Sequence, residues 1–227
     1  MPSILRPPQY GFTDRSLDMV GNSYLNVNNR IVNTQSFSIE CMVKPDISGM
    51  GSTSGWILTE RGSNSGNRNY QLIYNTPNSV FRFDIRVSGS NILVFSTTQP
   101  QSGVWYHLAA VCDAVEGKIK LYVNGVEEDS ENWSGARDVQ NTNFRVAMPG
   151  FNIDQNVRYN GEISDIRVWD HARTAEQIKR YSKVPLRGSE TGLLAYYPIN
   201  EGSGNTTEDK TGNGNNLSLI QNPTWIT

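Results

Sequence analysis

The chain has little of what most catalytic and metal-bearing scaffolds are built from. It carries two cysteines and two histidines in 227 residues. Two cysteines make no disulfide framework, and no zinc spacing, P-loop or dinucleotide fingerprint occurs. Neither His107 nor His171 comes with a Gly-flanked serine or a cysteine arranged for nucleophilic attack. The apolar runs are only a few residues long, far short of the ~20 that a membrane-spanning helix needs. The formal net charge is −2 and the basic residues are scattered along the chain. The sequence shows no Lys/Arg stripe, which argues against binding driven by phosphate neutralisation, so nucleic acid is not an expected partner. The opening stretch, MPSILRPPQYGF, lacks the apolar centre and small-residue cleavage site of a signal peptide.

What is present is a great deal of Asn, Gly and Ser between short alternating runs of Trp, Tyr, Phe, Ile and Val. That is the composition of many turns joining strands rather than of disorder. Strands are expected over residues 16–19, 24–27, 36–44, 56–60, 70–74, 80–87, 91–96, 105–114, 118–123, 144–148, 161–169 and 193–198. Asn124–Gly125 between LYV and VEE, and Ser88–Gly89 between FRFDIRV and NILVFS, read as hairpin turns. The run GEISDIRVWDHARTAEQIKRY changes period within itself. Side-chain alternation puts Ile163, Asp165, Arg167 and Trp169 on one strand face and Ser164, Ile166 and Val168 on the other. Thr174 and Gln177 then form a capping box, and Lys179 with Arg180 suit the carbonyl end of one short helix. Cys41 shares a strand face with Phe37, Ile39 and Val43, and Cys112 with Tyr106, Leu108 and Ala110, so both are expected in the core.

Many strands with one helix predict an all-β, two-sheet antiparallel sandwich or jelly roll. A chain of this size buries about 70–75% of its unfolded surface and needs no metal or disulfide to fold. Sandwiches of about 200–250 residues commonly form one unit. Residues 192–227 carry Leu193, Leu194, Tyr196, Tyr197, Leu217, Leu219 and Trp225, too apolar a set to stand alone. They are expected to return beside the N-terminal strands within a single domain spanning residues 1–227.

Five segments, in order, resemble the laminin G type of concanavalin A-like jelly roll, with pentraxins as more distant relatives. They are SLDMVGNSYLNV, SFSIECMVKPD, GVWYHLAAVCDAVEGKIKLYVNGV, NGEISDIRVWDHARTAEQI and GLLAYYPINEGSGNTTEDKTGNGNNLSL. The last resembles a segment that often opens bacterial laminin G-like modules, here placed at the C-terminal side. The resemblance implies two stacked sheets, one concave, and a protein that binds glycans or protein surfaces, often with calcium. Some relatives are glycoside hydrolases, and fold alone does not decide among these.

The chemistry of the residues narrows the choice. A glycoside hydrolase needs two carboxylates flanking the sugar bond. The one strand with two close acids offers Glu162 and Asp165, three apart and therefore expected on opposite faces. The expectation is a protein without catalytic residues. Calcium takes six to eight oxygen ligands from loops, and Asp154, Gln155 and Asn156, with Asn152, offer such a cluster. The resemblance implies calcium at this loop, aided by an earlier loop reading GNRNYQL. There Arg68 stands where the relatives have an acid. Asp165 is a further calcium candidate by resemblance, and Arg167 two residues on is its alternative partner. For glycans the useful groups are aromatics, amides and arginines in loops: Trp133, Arg158, Tyr159, Asn69, Arg68 and Trp56. The expected function is recognition of carbohydrate on a cell, matrix or particle surface, calcium-assisted in one version, with a glycan or surface protein as partner. The alternative is a structural protein of a virion surface, using the same fold for protein contacts or as a homo-oligomer. Met1, the missing signal peptide and a chain ending with its domain motivate that alternative. Either reading expects an extracellular or particle-surface location.

Overall fold

The computed structural model describes residues 15–62, 68–148 and 155–227, with the backbone alone at Gln155. The described strands form two antiparallel eight-stranded sheets. The first runs β10 (Val126–Asn132), β9 (Lys118–Val123), β8 (Tyr106–Asp113), β3 (Phe37–Pro45), β12 (Gly161–Trp169), β1 (Ser16–Met19) and β16 (Thr224–Ile226), with β13 (Leu193–Tyr197) also on β12. The second runs β14 (Thr206–Thr207), β15 (Leu217–Ile220), β2 (Tyr24–Val27), β11 (Phe144–Val146), β4 (Gly55–Arg61), β5 (Arg68–Asn75), β6 (Val80–Val87) and β7 (Ser90–Phe95). This is the jelly-roll sandwich expected from the alternating runs. One α-helix, α1 (Ala175–Tyr181), follows β12, and its Thr174–Gln177 capping box is formed at both ends.

The core lies between the sheets because period-2 runs from each present one apolar face. Phe37, Ile39, Cys41 and Val43 of β3 and Leu108, Ala110 and Cys112 of β8 meet Tyr70, Leu72 and Tyr74 of β5 and Phe81, Phe83 and Ile85 of β6 in one buried cluster. Both cysteines are buried free thiols. Both predicted hairpins close through two-residue turns. Asn124 and Gly125 have φ of 53° and 80°, and Ser88 and Gly89 have 48° and 80°. Positive φ at both positions is the turn twist that matches paired strands.

The C-terminal residues pair with both sheets: Leu17 lies opposite Trp225, and Leu25 opposite Leu219. Along β12 the alternation is broken once. Asp165 has φ of 50°, and the register with β3 slips between Ser164 and Arg167. This bulge corrects the face assignment made from simple alternation. Ile163 joins Ile166 and Val168 in the core cluster, while Asp165, Arg167 and Trp169 turn away from it. The extra residue of a bulge shifts every side chain beyond it by one face.

Candidate functional site

The outer faces of the two sheets differ. That of the first sheet is covered by α1 and the chain after it over parts of β8, β9, β12 and β13, while Lys44 and Glu162 stay partly exposed. Ile178 of α1 packs on Ala109, Val111 and Tyr122, and Leu186 packs with Trp169, Leu193 and Tyr196. Beneath this cover lies a buried ionic network. His107 Nε2 is 3.1 Å from Glu40 Oε2, Arg167 Nη1 is 3.4 Å from the same oxygen, and Arg173 Nε is 3.6 Å from Glu40 Oε1. Arg167 Nη2 donates to Asp165 Oδ2 at 2.5 Å. The same guanidinium donates to the carbonyls of Tyr181 (2.9 Å) and Val184 (2.8 Å), which fastens the end of α1 to the sheet. Burial alone would raise the Glu40 carboxyl. The His107 hydrogen bond and the charges of Arg167 and Arg173 outweigh it and bring the pKa down to about 2. At Asp165 burial wins over Arg167, and the pKa is raised.

The outer face of the second sheet is mostly polar, and its centre is closed, with Thr59 and Asp84 0% and Gln71 1% exposed. Asn26, Arg145, Thr59, Gln71, Asp84 and Leu93 are successive cross-strand partners over six strands, β2, β11, β4, β5, β6 and β7. Such partners stand side by side on one face. Around that row are Arg61, Arg68, Arg82 and Arg86. Asp84 is fully buried at their centre. It accepts from Gln71 Nε2 at 2.6 Å and Arg82 Nε at 3.1 Å, with Arg68 Nε 3.3 Å away. Arg61 donates to Gln71 Oε1 at 3.2 Å and lies 4.8 Å over the Trp56 ring. Arg145 donates to the Arg61 carbonyl at 3.2 Å. At the margin Arg86 contacts Asn91 Oδ1 at 3.3 Å and Asp138 at 3.5 Å. Among the described residues this face therefore carries five arginines against two aspartates. Burial, then the neighbouring charge of Arg68, lowers the Arg61 pKa to about 10. Arg68 and Arg145 are lowered by burial in the same direction. The face reaches solvent at Arg145, Arg82, Arg86, Asn91 and Leu93, which are half-buried or exposed. Hydrogen-bond donors, a few acceptors and aromatic edges are what recognition of a polar ligand requires.

The structure separates the residues predicted for ligand binding. Arg68 is on this face, and Trp56 lies buried under Arg61. Asn69 is fully buried. It donates to Glu60 Oε2 (3.1 Å) and the Gln140 carbonyl (3.0 Å), and accepts from the Gln140 N–H (2.5 Å), so it ties β5 to the loop before β11. Trp133 was expected to stand in a polar loop. It is 8% exposed and belongs to the main core cluster. Its backbone N–H donates to the Gly117 carbonyl at 2.8 Å, which carries the β9–β10 pairing one residue past Asn132. Tyr159 is 1% exposed and donates to the Glu162 carbonyl at 3.1 Å. Arg158 is half-buried, with Nε 3.4 Å from the Gly49 carbonyl.

Of the calcium candidates, Asp154 and the Gln155 side chain lie outside the described residues. Asn156 Oδ1 accepts from Ser52 Oγ at 2.8 Å. Asp165 does not fit a calcium ion, because a guanidinium already sits at 2.5 Å in a buried pair. Among the described residues no group of three or more acidic, His or Cys side chains is placed to hold a metal. The acids tested for hydrolysis are also engaged. Glu162 takes Lys44 Nζ and Ser16 Oγ, each at 2.6 Å, and the bulge puts Asp165 on its side of the strand rather than opposite. No described helix is long and apolar enough to cross a membrane.

Two stacked antiparallel sheets, one partly covered by a helix and one with a largely polar outer face, define a jelly-roll sandwich. A laminin G-type family model, described as the concanavalin A-like lectin/glucanases superfamily, matches residues 20–179, and the chain belongs to that family. Among solved structures it is similar to a Bacteroides ovatus protein for which carbohydrate binding is proposed (TM-score 0.72, 23% identity, 94% of this chain). The chain spans 59% of that protein's length. It is also similar to a heptameric SAP-like pentraxin of Limulus polyphemus (TM-score 0.67, 17% identity, 93% of each chain). A third similar structure is the CBM40 module of a Ruminococcus gnavus sialidase bound to α2,3-sialyllactose (TM-score 0.56, 9% identity, 74% of this chain and 96% of that one). At these identities the likeness shows the fold.

Proposed function

We propose that the protein is a non-catalytic module that binds carbohydrate on the outer face of the second sheet, at a cell, matrix or particle surface outside the cell. The observation that carries this reading is the set of half-buried or exposed polar side chains, Asn26, Arg145, Arg82, Arg86 and Asn91, on the sheet that no helix covers among the described residues. The superfamily membership and the carbohydrate-related similar structures support it. The engaged state of Glu162 and Asp165 supports a binding role over hydrolysis. Calcium enters as a second element of the reading, held by Asp154, Gln155 and Asn156.

Thermal unfolding with a pooled oligosaccharide mixture, in calcium and in chelator, tests it. A ligand that binds only the folded chain raises the midpoint in proportion to RT ln(1 + [L]/Kd), about 2.7 kcal/mol at a hundred times Kd. A rise with sugars supports the module, and a rise with calcium alone supports the metal. No shift with sugars counts against the reading and favours an assembly role, which sedimentation would report as a stable homo-oligomer.

A further inference from the structure

The chain that leaves α1 does more than cover the first sheet. Beside the last turn of the helix it forms an open cleft of about 450 Å³, within the size range of small-ligand sites. Its apolar part is the Tyr181 ring, Val184 and Pro185. Val184 is 45% exposed, one of the few large hydrophobic side chains that the described residues leave open to water. Arg180 and Arg187 also line the cleft, and both are exposed. Among the described residues neither guanidinium has a hydrogen bond or an ion pair; that of Arg180 lies 5.5 Å over the Tyr181 ring. In this they differ from Arg68, Arg82 and Arg86 of the second sheet, which are held by Asp84, Asp138 and Asn91.

The cleft is held in shape, and its negative groups are already engaged. A helix C-terminus ordinarily presents bare carbonyls, which repel an anion. Here they are capped from within. The Ser182 N–H and Oγ donate to the carbonyls of Ile178 (2.8 Å) and Lys179 (2.9 Å). The buried Arg167 guanidinium donates to those of Tyr181 and Val184. Glu190, the one acid of the lining, turns its two oxygens onto the N–H groups of Arg187 (2.7 Å) and Gly188 (2.9 Å). Arg173, 7% exposed, lies 3.9 Å over the Trp169 ring and 5.1 Å over the Tyr181 ring. Positive charge is therefore in excess beside an apolar floor. A floor fixed before the ligand arrives also lowers the entropy cost of binding.

We infer that this cleft binds an aromatic carboxylate, its ring on Tyr181, Val184 and Pro185 and its carboxylate on the forks of Arg180 and Arg187. A wholly apolar ligand would leave the two guanidiniums unused, and a small inorganic anion would leave the floor in water. The cleft lies on the cover of the first sheet, away from the face proposed for sugars, so the inference goes beyond the carbohydrate reading and does not depend on it.

Titrations at low salt, followed through the backbone amide resonances of the protein, test it with four probes: cinnamate, its neutral amide cinnamamide, N-acetylphenylalanine and acetate. The proteins are the wild type, Arg187→Gln, the double variant Arg180→Gln/Arg187→Gln, Val184→Glu, and Lys118→Gln as a lysine outside the cleft. All the substituted side chains reach solvent, so the fold should stay in place, and unfolding midpoints check it. The expected result is saturable binding of cinnamate or N-acetylphenylalanine, with shifts centred on residues 180–190. It weakens several-fold in Arg187→Gln and about tenfold or more in the double variant and in Val184→Glu, is unchanged in Lys118→Gln, and falls as salt rises. Either acid supports the site. The tighter of the two tells a free aromatic acid (cinnamate) from a peptide chain end (N-acetylphenylalanine). Cinnamamide binding as well as cinnamate overturns the role of the guanidiniums, acetate binding as well overturns that of the apolar floor, and each overturns the inference. So does undiminished binding in the double variant, or saturable binding of neither acid. None of these results bears on sugar binding at the second sheet.

Discussion

Glu40 and Glu60 are both fully buried carboxylates, and their surroundings push them in opposite directions. Glu40 is held ionised by His107, Arg167 and Arg173, with a pKa near 2. Glu60 accepts the N–H groups of Ile31 and Val32 at 2.7 and 2.9 Å. Burial outweighs those bonds and raises it to about 7. The signs follow from proton linkage. The depressed Glu40 contributes stability above its unfolded value of 4.5, which is lost as pH falls toward 2. The raised Glu60 contributes stability below 4.5, which is lost as pH rises through 7. Each window is worth roughly 3 kcal/mol at ~1.4 kcal/mol per unit. Urea unfolding across pH should show a fall on each side of a maximum near pH 4.5. Glu60→Gln should flatten the rise-side loss and Glu40→Gln the acid-side loss. A pH-independent midpoint would refute both assignments. Removing one partner of a buried network leaves the other charged, so Arg167→Met should cost about 3–5 kcal/mol, read from the same urea midpoints. These partners were only partly legible in the sequence. Arg167 as the partner of Asp165 follows from their spacing, but Glu40 and His107 come from other strands. Trp133 and Asn69 looked exposed because their neighbours are polar, and nothing local in the sequence records the distant residues that bury them.

At the scale of elements, α1 is short and depends on its cap and on Ile178. Thr174→Ala removes the side-chain acceptor of the Gln177 N–H (3.2 Å) and should cost about 1 kcal/mol, read as a drop in urea midpoint at unchanged slope. The start of β12 is tighter. Gly161 has φ of 122°, and a Cβ there would lie 2.4 Å from the Lys44 carbonyl oxygen and 2.7 Å from the Asp46 nitrogen. Both are backbone atoms, so Gly161→Ala should destabilise by about 1–3 kcal/mol. A midpoint equal to wild type would show that the β3–β12 approach is looser than the structure has it. Strands with an apolar period of two could be read directly, as could both turns and the helix cap. The strands that were not read are β10, β14, β15 and β16. The run VEEDSEN of β10 has no apolar face, because it is an edge strand exposed along nearly its whole length, so its only sequence signal is the turn before it. The arginine face had a signal that simple scanning overlooks: in FRFDIRV the positions facing away from the core are Arg82, Asp84 and Arg86.

For the whole molecule, the C-terminal strands close the sandwich on both sheets, β16 on β1 and β15 on β2. The apolar residues of that stretch forecast burial but not the partners, since register across two hundred residues leaves no mark in local pattern. The same separation explains why a near-neutral chain with scattered basic residues carries a strongly basic sheet face: charge statistics along the chain average over what the pairing concentrates. The account's central claim is that this chain binds carbohydrate on that face. The most direct measurement is a broad glycan array probed with wild type and with the Arg82→Gln/Arg86→Gln variant, each in calcium and in chelator. The account predicts saturable binding of wild type to a defined set of sugars and loss of those signals in the variant. An array blank for wild type under both conditions, or one bound equally by the two proteins, would contradict it.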